Sequence, residues 1–272
     1  MSAPADSAPR SSAAAINQAA DLLWQARQTR EPVDWVRGIL AEHDLAAAYE
    51  VSEIVMSRKQ QAEGLSRVGR KIGLTNPLVQ QRVGVDEPDY GVILSDMLWH
   101  DGVVRPRSAF FRPALESEIA FHIKDDITDA SLENVQSCID YVAPSLELVD
   151  FRFRERLPSI VDTISDNAGC EGIVLGTERV PYGSVDLSTI EMVLMAGEQE
   201  ITRGVGSNVM GDPIHAVVWL ARTALQIGRP LRAGEWLLSG SIGYIEPWVP
   251  DVECTATITG IGTVTATLDS QA

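Results

Sequence analysis

Leu115-Glu-Ser-Glu-Ile-Ala-Phe-His-Ile123 alternates apolar and polar positions and reads as a β-strand. Side chains two apart share one face of a strand. One face therefore carries Leu115, Ser117, Ile119, Phe121 and Ile123, and the other carries Glu116, Glu118, Ala120 and His122. Two adjacent carboxylates repel and raise each other's pKa unless a proton or a cation stands between them. A hard divalent cation that prefers oxygen ligands, Mg²⁺ or Mn²⁺, resolves that repulsion. A solvated strand face resolves it too, so the stretch alone leaves both readings open.

Further acids lie outward from this strand. Glu147 sits in Ser145-Leu-Glu-Leu-Val149, which is otherwise apolar, and a carboxylate there needs a partner. The partner is either an arginine such as Arg152 or Arg154, or a metal shared with Glu116 and Glu118. Lys71 is flanked by glycines in Gly69-Arg-Lys-Ile-Gly73, where backbone and ligand can approach closely. It is read as an acid/base group, an anion clamp or a plain turn residue. Asp89 in Val85-Asp-Glu-Pro-Asp-Tyr-Gly91 and Asn167 in Asp166-Asn-Ala-Gly169 are equally compatible with turn chemistry, the latter after an expected strand. Ser239-Gly-Ser-Ile-Gly243 lacks a phosphate-loop pattern, and no Gly-x-Ser-x-Gly elbow occurs.

Composition narrows the function classes. The 272 residues are 45% hydrophobic and 22% charged, with a formal net charge of −16. That charge argues against a nucleic-acid or anionic-membrane surface. Cys138, Cys170 and Cys254 are odd in number and form no CxxC pair, which fits structural thiols in a reducing cytoplasm. His43, His100, His122 and His215 show no metal-ligand spacing and read as structural or surface residues. Residues 1–13 are Ser/Ala/Pro-rich without an apolar signal core, and are read as a disordered tail. No apolar run reaches the length of a membrane span.

Residues 14–65 read as a helical region. Ile16, Ala19, Ala20 and Leu23 fall on one stripe, Pro32 breaks the pattern, and Asp44 caps a second helix with Leu45, Ala48, Ser52 and Val55 inward. Residues 66–272 read as a strand-rich catalytic domain. Expected strands include 67–74, 91–94, 109–111 and 141–149, the last at an edge or carrying a bulge because of Pro144. Asp212 and Pro213 open a helix that Gly228 closes, and 253–258 with 263–268 form a hairpin. The class is α+β with a mostly antiparallel sheet system.

Gly69-Arg-Lys-Ile-Gly-Leu-Thr-Asn-Pro77 is followed by Val79-Gln-Gln-Arg-Val-Gly-Val-Asp-Glu-Pro-Asp-Tyr-Gly91 and Glu116-Ser-Glu118. Then come Ser145-Leu-Glu147, Asp162-Thr-Ile-Ser-Asp-Asn-Ala168 and Ala216-Val-Val-Trp-Leu-Ala221. In this order, from about residue 15 to the end, the chain resembles the 2-keto-4-pentenoate hydratase group of the fumarylacetoacetate hydrolase superfamily. The resemblance implies a mixed β-roll with a small helical N-terminal region. It implies Mg²⁺ or Mn²⁺ on Glu116, Glu118 and Glu147, proton transfer by Lys71 and Asp89, and substrate contacts from Leu74, Asn167 and Ser239.

The implied reaction is hydration of a 2-hydroxy-2,4-dienoate, through its 2-oxo-3-enoate tautomer, to a 4-hydroxy-2-oxo acid in aromatic meta-cleavage catabolism. Homo-oligomers (pentamers or decamers) and association with a pathway enzyme are implied as well. The alternatives are a 2-oxo-3-enedioate (4-oxalocrotonate) decarboxylase, a carbon–carbon hydrolase and a non-catalytic partner subunit. The segment 88–97 looks more like the hydratases, and no clear water-activating His–Glu arrangement supports a hydrolase. Ala114, Gly169 and Pro250-Asp-Val-Glu253 depart from the group's pattern and bear on substrate identity more than on reaction class.

Overall fold

The computed structural model describes residues 10–83, 85–155 and 158–271. Residues 1–9 of the N-terminal tail thus lie outside the described residues, and a helix already begins at Ala13. The chain forms two compact units. One is the chain up to Gly64 together with Phe151–Gly169, and the other is Leu65–Asp150 together with the chain from Cys170.

The first unit is helical. Ser12 caps the helix Ala13–Thr29 by accepting a hydrogen bond from the Ala15 amide, and Ile16, Ala19, Ala20, Leu23 and Ala26 are buried along one stripe. Asp44 caps Leu45–Glu63 in the same way, and Gly64 ends it in the left-handed region. These two helices share a core with Val33, Val36, Phe153, Val161 and Ile164. Ser159 and Asp162 form a reciprocal cap on a short helix, Ile160–Ser165. The Asp166-Asn-Ala-Gly169 turn therefore follows a helix, not the strand that its β-branched residues suggested. Arg152 Nε donates to Asp166 Oδ1 at 2.7 Å, and Arg154 pairs with Asp34 at 3.4 Å.

The second unit is built on alternation. Its strands are β1 Arg67–Gly73, β2 Asp89–Leu94, β3 Leu98–His100, β4 Val103–Pro106, β5 Ala114–Ile123, β6 Ile139–Val149 and β7 Cys170–Leu175. They continue as β8 Val180–Pro181, β9 Glu191–Ala196, β10 Gln199–Val205, β11 Trp236–Leu238, β12 Glu246–Pro247, β13 Glu253–Ile258 and β14 Gly262–Asp269. A nine-stranded sheet runs β2-β1-β11-β5-β6-β7-β3, with β12 on β5 and β8 on β6. A five-stranded sheet runs β10-β9-β13-β14-β4. Most pairs are antiparallel, while β1/β11, β3/β7 and β4/β14 are parallel. The hairpin β13/β14 turns Cys254, Ala256, Ile258, Val264, Ala266 and Leu268 into a core that both sheets share with the helix Pro213–Gln226.

Two expectations change. Residues 109–111 form no strand, because side chains take up their backbone groups. Arg107 donates to the carbonyls of Phe110 and Phe111 at 2.6 and 2.8 Å, and Asp150 accepts the Phe111 amide at 2.9 Å. Pro144 lies inside a strand paired on both sides, so the edge alternative falls, while the strand does carry register irregularities, though away from Pro144, at Leu148/Val149 and opposite His122/Ile123. The proline is tolerated because β7 ends at Leu175, opposite Ser145. The missing Pro144 N–H faces the side where the ladder has stopped, and the Pro144 carbonyl accepts the Gly176 amide.

Candidate metal centre and active site

Strand register brings the predicted residues together. In β5 and β6, Glu116 stands opposite Glu147 and Glu118 opposite Ser145. Residues directly opposite in a ladder share a face, so the three acids point the same way. Moving along the sheet, Ala120 of β5 is opposite Leu238 of β11, and Leu238 is opposite Lys71 of β1. Gly73 of β1 is opposite Asp89 of β2. Four strands thus set Asp89, Lys71, Glu116, Glu118 and Glu147 on one sheet face.

Burial excludes the solvated-face reading. Glu118 and Glu147 are fully buried, Asp89 and Lys71 are buried, and Glu116 is half-buried. One ligand oxygen from each of Glu116, Glu118 and Glu147 lies within 4.8 Å of the others. Lys71 Nζ stands 3.3 Å from Glu147 Oε1. The Gly240 amide donates to Glu118 Oε2 at 2.8 Å, while among the described residues no well-aligned donor reaches Glu118 Oε1 or either Glu147 oxygen, Lys71 standing by as an ion-pair neighbour.

This is too much negative charge for one ammonium. Burial, with Glu147 adding to it, pushes Glu116 up to about 7. Burial and the neighbouring carboxylates raise Glu118 well above its ordinary value. Glu147 also rises through burial, which Lys71 opposes. Burial works against the Lys71 charge, but Glu147, Asp89 and Glu116 outweigh it and hold the ammonium above its ordinary pKa. Asp89 is raised by burial against the pull of Lys71. Three convergent carboxylates, two of them with buried oxygens that no well-aligned donor reaches, are the donor set of a hard divalent ion, so the residues fit such an ion.

The structure distributes the remaining predicted residues. Leu74 has φ 56° and lines a cavity with Glu116. The buried Ser239 hydroxyl accepts from the Ile119 amide and donates to the Gly240 carbonyl, so it is engaged by the backbone. Asn167 is buried in the helical unit with φ 56°, whereas the carboxylates belong to the other unit.

Two features were not anticipated. Gly240 holds Glu118 by its amide at φ 92°, and a Cβ there would collide with the Thr75 hydroxyl. A Cβ on Gly73 would collide with Asp89 Oδ1 and lie 3.1 Å from Lys71 Nζ. The glycines were visible in the sequence, but what they face depends on β11 and β2 arriving alongside. Cys170 is buried near this cluster, and burial together with Glu147 pushes its thiol well up, which leaves it unreactive. His122 stacks on Tyr141 at 4.6 Å, consistent with a structural role.

Residues 82–269 match the family model described as fumarylacetoacetate (FAA) hydrolase C-terminal. The chain is 37% identical over 255 residues, 93% of it and 94% of the relative, to a 2-keto-4-pentenoate hydratase of Paraburkholderia xenovorans (strain LB400). It is 36% identical over 220 residues, 79% of it and 83% of the relative, to a 2-hydroxyhexa-2,4-dienoate hydratase of Comamonas testosteroni. A solved 4-oxalocrotonate decarboxylase from Pseudomonas putida G7, complexed with magnesium and adipate, superposes with a TM-score of 0.90 at 27% identity. That match covers 96% of this chain and 100% of the other.

Proposed function

The chain belongs to the fumarylacetoacetate hydrolase family, and on that premise we propose that it is a metal-dependent hydro-lyase that adds water to a 2-hydroxy-2,4-dienoate. The observation that carries the reading is the buried Glu116, Glu118 and Glu147 cluster beside Lys71, in a chain whose relatives are named hydratases. Mg²⁺ or Mn²⁺ held by these three glutamates would supply Lewis acidity toward the carboxylate and 2-oxygen of the substrate.

Lys71 and Asp89 form the proton-transfer pair, the ammonium as donor and the carboxylate as acceptor. In the first stage the proton leaves the 2-hydroxyl and one arrives at the terminal carbon, giving a 2-oxo-3-enoate. In the second, water adds its oxygen at C4 while its proton passes to the Lys71 amine left by the first stage, and the Asp89 carboxyl returns its proton to C3, giving a 4-hydroxy-2-oxo acid and restoring both groups. Gly73 keeps the space in which Asp89 and Lys71 stand side by side. The buried sheet face excludes bulk water, which strengthens each charge interaction within it. Substrate contact by Leu74, Asn167 and Ser239, a homo-oligomeric assembly, a pathway-enzyme partner and a cytoplasmic location belong to the same proposal.

The decarboxylase reading is the second one, favoured by the TM-score of 0.90 to a decarboxylase. One assay separates them. Purified protein with Mg²⁺ or Mn²⁺ is given 2-hydroxypenta-2,4-dienoate, or its dicarboxylate analogue. Loss of dienol absorbance without CO₂, with a 4-hydroxy-2-oxo acid seen by NMR, supports the hydratase. CO₂ release from the dicarboxylate, with no hydration of the dienoate, overturns it.

A further inference from the structure

The helix Pro213–Gln226 buries Ile214, Val217, Leu220, Ala221 and Ala224 in the core. Trp219, Arg222, Thr223 and Gln226 follow at i, i+3, i+4 and i+7, so they share another face of it. That face lines a cavity of about 540 Å³. Asp86 and Glu87 belong to the same wall, and Pro77, Pro88 and Met210 add apolar surface to that of Trp219. Charges of both signs therefore border one cavity. Among the described residues the side chains of Arg222, Asp86 and Glu87 nonetheless have no hydrogen-bond or ion-pair partner.

This cavity also borders the supports of the carboxylate and lysine cluster. Gln80, in its wall, donates its side-chain amide to the Leu74 carbonyl at 2.7 Å. Thr75 lines it too, and the Met210 amide donates to the Thr75 carbonyl at 3.2 Å. Pro88 is bonded directly to Asp89, which stands opposite Gly73. An occupant would thus touch both the segment that leaves β1 after Lys71 and the segment that enters β2 at Asp89.

We propose that this cavity is a second ligand site, distinct from the carboxylate cluster, which takes a small zwitterion with an apolar body, the chemistry of a free amino acid. The ligand carboxylate would pair with Arg222, its ammonium with Asp86 or Glu87, and its side chain would lie against Trp219 and Met210. An anion alone would meet the two acids as well as Arg222, and a cation alone would meet Arg222 as well as the acids. The volume falls within the roughly 300–1,000 Å³ of small-molecule pockets. Because its occupant bears on the Leu74 and Asp89 segments, the site is coupled to turnover, and this coupling rests on the hydratase reading above.

L-phenylalanine, 3-phenylpropionate and phenethylamine share an apolar body and differ in the charges they carry. Each is titrated calorimetrically into the Mg²⁺-loaded full-length protein. Phenylalanine is expected to bind at least about tenfold more tightly than either of the others. Arg222→Ala, and Asp86→Asn combined with Glu87→Gln, change exposed positions and are each expected to remove most of that advantage with an unchanged far-UV spectrum. No binding of phenylalanine, equal binding of the three probes, or an affinity that Arg222→Ala leaves unchanged overturns the site. Saturating phenylalanine is expected to change the KM for 2-hydroxypenta-2,4-dienoate by at least about fivefold in the wild-type protein and not in Arg222→Ala. Binding with an unchanged KM overturns the coupling alone. Phenylalanine binding without any hydration removes the hydratase reading and leaves the site standing.

Discussion

At the scale of single residues, the metal holding and proton transfer proposed above are separable. Glu118→Gln keeps the side chain's shape but removes a buried carboxylate charge from the proposed metal site. Its Mg²⁺ affinity, measured by calorimetry, is expected to fall by more than the roughly 10–100-fold seen for outer-shell partners. Lys71→Ala removes the ammonium 3.3 Å from Glu147 and should lower kcat by about 10²–10⁴-fold while Mg²⁺ still binds. Full kcat in that variant would remove Lys71 from the mechanism. The paired glutamates were legible because spacing along one strand is a local property. The partner of Glu147 was not, because an arginine such as Arg152 or Arg154 and a shared metal both remain open until register is known. The register puts Glu147 opposite Glu116, while Arg152 is committed to Asp166.

At the scale of elements, two glycines carry the geometry of the site. Gly73→Ala pushes a methyl into Asp89 Oδ1 and crowds Lys71, and is expected to cut kcat while metal affinity is retained. Gly240→Ala meets both a φ of 92° and the Thr75 hydroxyl, so the turn after β11 must shift and take its hydrogen bond off Glu118. Calorimetry is expected to show weakened Mg²⁺ binding with an unchanged far-UV spectrum. An unaltered affinity would show that the amide is dispensable. The strands around 67–73, 115–123 and 141–149, the 253–269 hairpin and the capped helices 13–29, 45–63 and 213–226 were readable in advance, because alternation and caps are written within a few residues, whereas the capped helix 160–165 was not, since its β-branched run reads as a strand. β3, β8 and β12 were not, since pieces of two or three residues carry no period. The 151–169 segment joins the N-terminal helices through contacts such as Phe153 with Val33 and Val36, which no local pattern announces.

At the scale of the whole molecule, the cluster couples stability to pH. Glu116 rises from 4.5 in the unfolded chain to about 7 in the fold, so the folded state binds the extra proton. For an acid raised in this way, the contribution is present at and below the unfolded value and is lost as pH climbs toward 7. Calorimetric Tm of metal-free protein is expected to fall across that window, and Glu116→Gln to flatten the fall. Excess Mg²⁺ should raise Tm more at pH 8 than at pH 5, because ligand oxygens must be deprotonated to bind it. Lys71 lessens how far the fold depends on a bound ion. Because a cation covalently attached to the chain already sits among the acids, assembly of the fold need not wait on the supply of ions. Small zinc-dependent domains behave in the opposite way and unfold when stripped. On the proposed reading the scaffold can fold first and take up its ion afterwards, so activity would respond to the free-ion concentration more steeply than the amount of folded protein does.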